Sequence, residues 1–264
     1  MVVAVLLAVL RPLDDISEGY LDSAFRQALT SFAIARGLNG VISVAQGTEI
    51  AVQPAGVGIV LSPGEILDPI NDLVERFSWV MLMSSSALGA QKVLASVSAW
   101  GGIAWLFVGT AAVYLLSLWQ PQSSWGAQRR FVTKLLVVLL LLRFAVPVIA
   151  ILNQWTYQAF LHEQHTTSAA ELEQVREDIG ELNQGAAPTT TTDGDGVIEK
   201  SKQLYASAMA QLDFEKRLDR YQAAAEQVSE NTIQLIVVYV LQTVVFPLLF
   251  LWGFIRLVRW MVAG

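Results

Sequence analysis

The chain has 264 residues, 54% of them hydrophobic and only 15% charged. Soluble domains carry about 25% charged residues, so the deficit points to a membrane protein. There is no cysteine, which excludes disulfides, thiolate nucleophiles, Cys-ligated zinc and iron–sulfur clusters, and a net charge of −6 without a basic patch argues against a nucleic-acid partner.

The charge is unevenly spread. All 23 acidic residues fall within 11–76 and 153–231, and neither 77–152 nor 232–264 contains one. The acid-free stretches are the expected membrane parts.

Residues 1–13 begin MVVAVLLAVL, without the positive flank or small-residue cleavage site of a signal peptide, and read as a short N-terminal membrane anchor. Residues 14–76 read as an extracytoplasmic α+β element. Ile16, Tyr20, Phe25, Leu29, Phe32 and Ala33 recur at helical spacing, and Gly37, Asn39 and Gly40 are expected to stop that helix. Val41–Val44, Glu49–Val52 and Val57–Leu61 are β-rich runs split by Gln46-Gly47-Thr48 and Pro54-Ala55-Gly56, which predicts a small β-meander. The glycines here lack the spacing and the Lys-Ser/Thr of a phosphate loop.

Asp68-Pro69 is a helix start, with an acid at the N-cap and proline in the first turn. Its continuation over 77–99 carries Ser84-Ser85-Ser86, Gln91 and Lys92, and is expected to be an interfacial or membrane-entering helix. Residues 100–118 predict a transmembrane helix flanked by Trp100 and Trp119, with Gly109 and Ala111-Ala112 offering a small-residue face. A loop, 119–130, ends in Arg129-Arg130. Residues 131–152 hold only Lys134 and Arg143 as charges and would reach about 33 Å, enough to cross a bilayer.

Residues 153–231 read as a helical hairpin. Leu172, Val175, Ile179 and Leu182 form one coiled-coil-like seam, and Phe214, Leu218, Tyr221, Ala225, Val228, Thr232 and Leu235 form the other. Gln184 to Gly196 is the flexible turn between them. Residues 232–255 form the last transmembrane helix, and 256–264 a tail with Arg256 and Arg259. The expected fold is mainly α: about four transmembrane helices, an antiparallel hairpin and a β-meander. Positive charge marks the cytoplasmic side, which places 119–130 and the tail inside and the hairpin outside, in a bacterial inner membrane.

Arg143 is the sharpest functional signal. A charge near the middle of a membrane helix costs at least ~2.5–3.5 kcal/mol, and no membrane segment offers an acid to offset it. Its expected polar neighbours are Tyr114, Tyr239 and Gln242, with Thr110 and Thr243. Pro147 and Pro247 each free a backbone carbonyl and mark helix breaks. His162 and His165, at i,i+3, are too few for a zinc site and read as a solvated pair. Asp193-Gly194-Asp195-Gly196 lacks acids at the first and twelfth positions of a calcium loop. No nucleophile elbow or acid/base pair is evident, so neither catalysis nor a cofactor is expected. The expected function is a non-enzymatic scaffold or accessory subunit that self-associates in the bilayer, with an anion or lipid-headgroup path through Arg143 as the alternative.

Overall fold

The computed structural model describes residues 2–47, 50–52, 59–61, 67–118, 126–184 and 197–263. Its helices are α1 (Val2–Leu10), α2 (Pro12–Gln46), α3 (Asp68–Ser98), α4 (Gly101–Leu118), α5 (Gly126–Thr156), α6 (His162–Gln184), α7 (Val197–Val240) and α8 (Phe246–Ala263). A π turn at Tyr157–Leu161 joins α5 to α6 without a break, and a second at Leu241–Val245 joins α7 to α8.

Among the described residues, five helices are long and apolar enough to cross a membrane by length and composition: Pro12–Gln46, Asp68–Ser98, Gly101–Leu118, Gln128–Asn183 and Lys216–Trp260. The expected count of about four is therefore not supported. The run 77–99 continues the helix that starts at Asp68, within one helix Asp68–Ser98.

The β-meander is not supported either. Val41–Val44 is helical, because α2 runs through Gly37, Asn39 and Gly40 to Gln46. A glycine inside a helix costs about 1 kcal/mol, and here tertiary packing outweighs it: Ala35, Leu38 and Ile42 are all buried. Among the described residues, strand pairing is confined to a three-residue antiparallel ladder, β1 (Ile50–Val52) on β2 (Ile59–Leu61). The turn at Pro54-Ala55-Gly56 and the Asp193–Gly196 run lie outside the described residues.

The chain divides into two compact units. The first comprises Met1–Leu29, Met83–His162 and Tyr239–Gly264. Its core is Ala8, Phe107, Ala111, Leu136, Leu139 and Phe144, with Leu7, Leu13, Val148 and Phe254 packed against it. Phe107 meets Phe144 edge-on at 5.7 Å between ring centroids. Its surface is apolar over long stretches, including Val3, Leu6, Trp105, Leu116, Phe131, Val138, Leu249, Trp252 and Trp260, as expected of a lipid-facing surface.

The second unit comprises Thr30–Leu82 and Glu163–Val238. Leu38, Ile42, Leu67, Val74 and Phe77 are buried in it together with Leu172, Val175, Ile179, Tyr221, Val228 and Leu235. Those heptad positions of α6 and α7 are thus interior, while Leu182 and Leu218 are half-buried, and the arms are antiparallel: Asn231 donates to Glu171 at 2.8 Å and Ser168 to Gln234 at 2.8 Å. A two-stranded coiled coil is nonetheless not supported, because α6 also packs on α2. Asn183 Nδ2 donates to the Val41 carbonyl at 2.9 Å. A Cβ on Gly37 would come within 2.9 Å of Arg176 Nη1, so this glycine makes room for the Arg176 stem. The sparse seam is completed by a third helix.

Candidate functional site

Prolines organise the interior of the first unit. A proline has no N–H, so the carbonyl four residues earlier loses its intrahelical donor. Three prolines here free a carbonyl, four residues earlier for Pro12 and Pro147 and five for Pro247, and each freed carbonyl is taken up by a polar side chain from another helix.

Pro12 deprives the Ala8 carbonyl at the end of α1. The chain breaks between the helices at Arg11, whose φ of 56° lies in the left-handed region. Arg143 Nη2, from α5, supplies the missing donor at 3.2 Å. Pro147 in turn deprives the carbonyl of Arg143 itself, and Ser98 Oγ, at the end of α3, donates to it at 2.7 Å. Pro247 acts through the second π turn. The Phe246 N–H bonds to the Leu241 carbonyl, five residues back, which leaves the Gln242 carbonyl facing the proline. Asn153 Nδ2, from α5, donates to it at 2.7 Å.

Arg143 sits where these repairs converge, and its side chain is 1% exposed. Its guanidinium forks onto Asp14 in the first turn of α2: Nη1 to Oδ1 at 2.6 Å and Nη2 to Oδ2 at 2.5 Å. That bidentate geometry is the strong form of an Arg–carboxylate contact. The guanidinium carbon also lies 5.5 Å from the Phe144 ring centroid, while Nε has no hydrogen-bond partner among the described residues. The expectation that no membrane segment offers Arg143 an acid is corrected: Asp14, one turn beyond the apolar start of the chain, pairs with it. As an acid in the first turn of a helix it also faces the favourable end of the α2 dipole.

The other expected neighbours are elsewhere. Gln242 is buried and donates through Nε2 to the Tyr20 hydroxyl at 3.0 Å, while its Oε1 has no hydrogen-bond partner among the described residues. Tyr239 is buried, and its carbonyl accepts from Thr243 Oγ1 at 2.6 Å. Thr243 Oγ1 is also 3.4 Å from Ser84 Oγ. Tyr114 is partly buried, and its carbonyl accepts from Ser117 Oγ at 2.6 Å. Structure therefore brings Arg143 to Asp14 and Ala8, and Gln242 to Tyr20 and Asn153.

Asp14, Ser98, Asn153 and Tyr20 are the residues that sequence reasoning missed. A signal for the first lay in the Arg11-Pro12-Leu13-Asp14 run. It puts a carboxylate two residues past a proline and beside an apolar segment, where a buried guanidinium finds both its carboxylate and its freed carbonyl.

The histidines do not form a solvated pair. His162 is exposed and lies edge-on to Tyr157 at 5.7 Å, whereas His165 is buried. Among the described residues, no three His, Asp or Glu side chains lie close enough together to hold a metal ion. No family model matches the chain, and neither a curated protein nor a solved structure matches it.

Proposed function

We propose that this chain is a non-enzymatic, multi-pass membrane scaffold or accessory subunit that self-associates or joins a larger membrane complex. The observation that carries this reading is the Arg143–Asp14 pair. A membrane arginine with its charge taken up by its own chain acts as an internal fastener, not as a port for an external anion. The donors of Ser98 and Asn153 have the same inward use. The exterior of the first unit is apolar over long stretches. Such a molecule is suited to holding a position in a bilayer and offering surfaces to other subunits.

The orientation we assign follows the positive charges. Arg129, Arg130 and Lys134 at the start of α5 and Arg256 and Arg259 near the end of α8 lie on the cytoplasmic side of a bacterial inner membrane. The 153–231 hairpin is then extracytoplasmic. Mass photometry of detergent-extracted protein tests the assembly. A multiple of the chain mass, or a heavier complex, is expected, and a uniform single-chain mass overturns it.

A channel or transporter is the second reading, favoured by one observation. The helix breaks at Arg11 and at Ala99–Trp100 both meet α5 at Arg143, through Ala8 and Ser98. Interrupted helices at membrane depth line the sites of many transporters. Salt-driven anion flux in proteoliposomes that falls on Arg143→Gln would support this reading, and absence of flux would remove it.

A further inference from the structure

The exposed surface of the first unit has two sides of unequal apolar height. Along α5 the exposed Lys134 follows Phe131, and above it the outward residues Leu135, Val138 and Leu142 are apolar; the run resumes with Leu152, Trp155 and Phe160. From Lys134 to Phe160 this side rises about 39 Å, ample for a hydrocarbon core of ~30 Å. The Trp155 and Phe160 rings stand edge to face at 6.4 Å, two-thirds exposed, as an aromatic cap on that tall side.

The α2 side is different. Immediately past the break, Arg11, Asp15, Glu18 and Arg26 are exposed, and the partly exposed Asp22 holds Lys92 at 2.5 Å. Because Asp14 is bonded to Arg143, the charge on this side begins at the level of Arg143. That level is only about 20 Å above Arg130 along α5. A bilayer of ordinary thickness resting on the Arg130 end would submerge Arg11, Asp15 and Glu18.

These six charges, Arg11, Arg26 and Lys92 against Asp15, Glu18 and Asp22, sum to zero. Such a mixed array can satisfy both the phosphate and the amine of a zwitterionic lipid. It is poorly matched to a protein partner, since interfaces are depleted in Asp, Glu and Lys. A short apolar height is met by thinning of the bilayer.

We infer that the bilayer is thinned along the α2 side, with water and headgroups descending to Arg11 and Asp15, and that the chain thereby speeds the passage of phospholipids between leaflets. The barrier to that passage is the dehydration of a headgroup across the hydrocarbon, and a shorter crossing lowers it. The inference rests on the membrane location and the assigned orientation, not on self-association.

The test is lipid exchange by the purified full chain. It is reconstituted into phosphatidylcholine vesicles containing a minor share of phosphatidylglycerol and a fluorescent phosphatidylcholine in both leaflets. Added dithionite bleaches the outer leaflet, and loss of the protected inner pool reports transfer. Wild-type vesicles are expected to lose that pool an order of magnitude faster than protein-free ones, and lipids with longer acyl chains should slow the loss. Asp15→Leu with Glu18→Leu raises the apolar height and should reduce the rate by an order of magnitude, with circular dichroism and elution volume confirming the fold. If that variant does not fold, the acyl-chain series on wild-type protein decides. Transfer no faster than in empty vesicles overturns the inference, whether or not a partner protein is found on α2; so does a rate indifferent to bilayer thickness. A single-chain mass would end the scaffold reading and leave this one standing. Absent lipid transfer would do the reverse.

Discussion

Replacing Asp14 with leucine strips Arg143 of two of its three hydrogen bonds and of its counter-charge, leaving the Ala8 carbonyl alone. Removing one partner of a buried ion pair costs about 3–5 kcal/mol, because the other charge is stranded. Asp14→Leu should fall in that range. Arg143→Leu should cost less, because the Asp14 carboxylate remains in the first turn of α2, at the end of the helix dipole that favours it. The main loss is then the donor to the Ala8 carbonyl, about 1–3 kcal/mol. The double variant strands neither charge and loses the same donor, so it too should cost about 1–3 kcal/mol. The coupling energy of the cycle is then close to the full cost of Asp14→Leu. Reversible unfolding in mixed micelles, titrated with a denaturing detergent and followed by tryptophan fluorescence, measures all three. If the single costs add to the double within about 0.5 kcal/mol, the usual tolerance for independent sites, the two residues do not meet and the site described above is wrong.

The proline repairs make a second set of predictions, read in the same assay. Ser98→Ala should cost about 1 kcal/mol in the native sequence and markedly less in a Pro147→Ala background, where the backbone N–H at residue 147 again serves the Arg143 carbonyl. Asn153→Leu should likewise be destabilising by about 1–2 kcal/mol; an unchanged midpoint would show that the Gln242 carbonyl has another donor. In the second unit, Tyr221→Phe loses the 3.0 Å hydrogen bond to Asn183 Oδ1 and should lower stability by about 1 kcal/mol in thermal unfolding. Gly180 in α6 has open space around the position of a Cβ, so Gly180→Ala should stabilise by about 0.5–1 kcal/mol. Gly37→Val, whose side chain would meet Arg176, should destabilise.

The helical, membrane-spanning character was legible because it depends on composition and on apolar runs, which need no tertiary information. The seams Leu172–Val175–Ile179 and Tyr221–Ala225–Val228 were legible for a similar reason, since periodicity alone puts them on one face. The continuation of α2 through Gly37 and Gly40 was not, because local glycine chemistry favours a stop and only contacts with α6, distant in sequence, overrule it. The partner of Arg143 was hidden by its separation of 129 residues and by its position just outside an apolar run. Pro147 and Pro247 were recognisable as carbonyl-freeing positions. That Ser98 and Asn153 serve those carbonyls could not be read, since nothing local to either residue points across the bundle.

The left-handed Arg11 joint has a consequence for how the start of the chain is held. Backbone hydrogen bonding does not run uninterrupted from α1 into α2, and a residue with a side chain occupies a conformation that glycine adopts more readily. One guanidinium from α5 grips the carbonyl rim of the first rod and the carboxylate at the head of the second. It works as a splice plate bolted across a cut beam: the angle between the two pieces is set by a third member, so anything that turns α5 about its axis bends the joint.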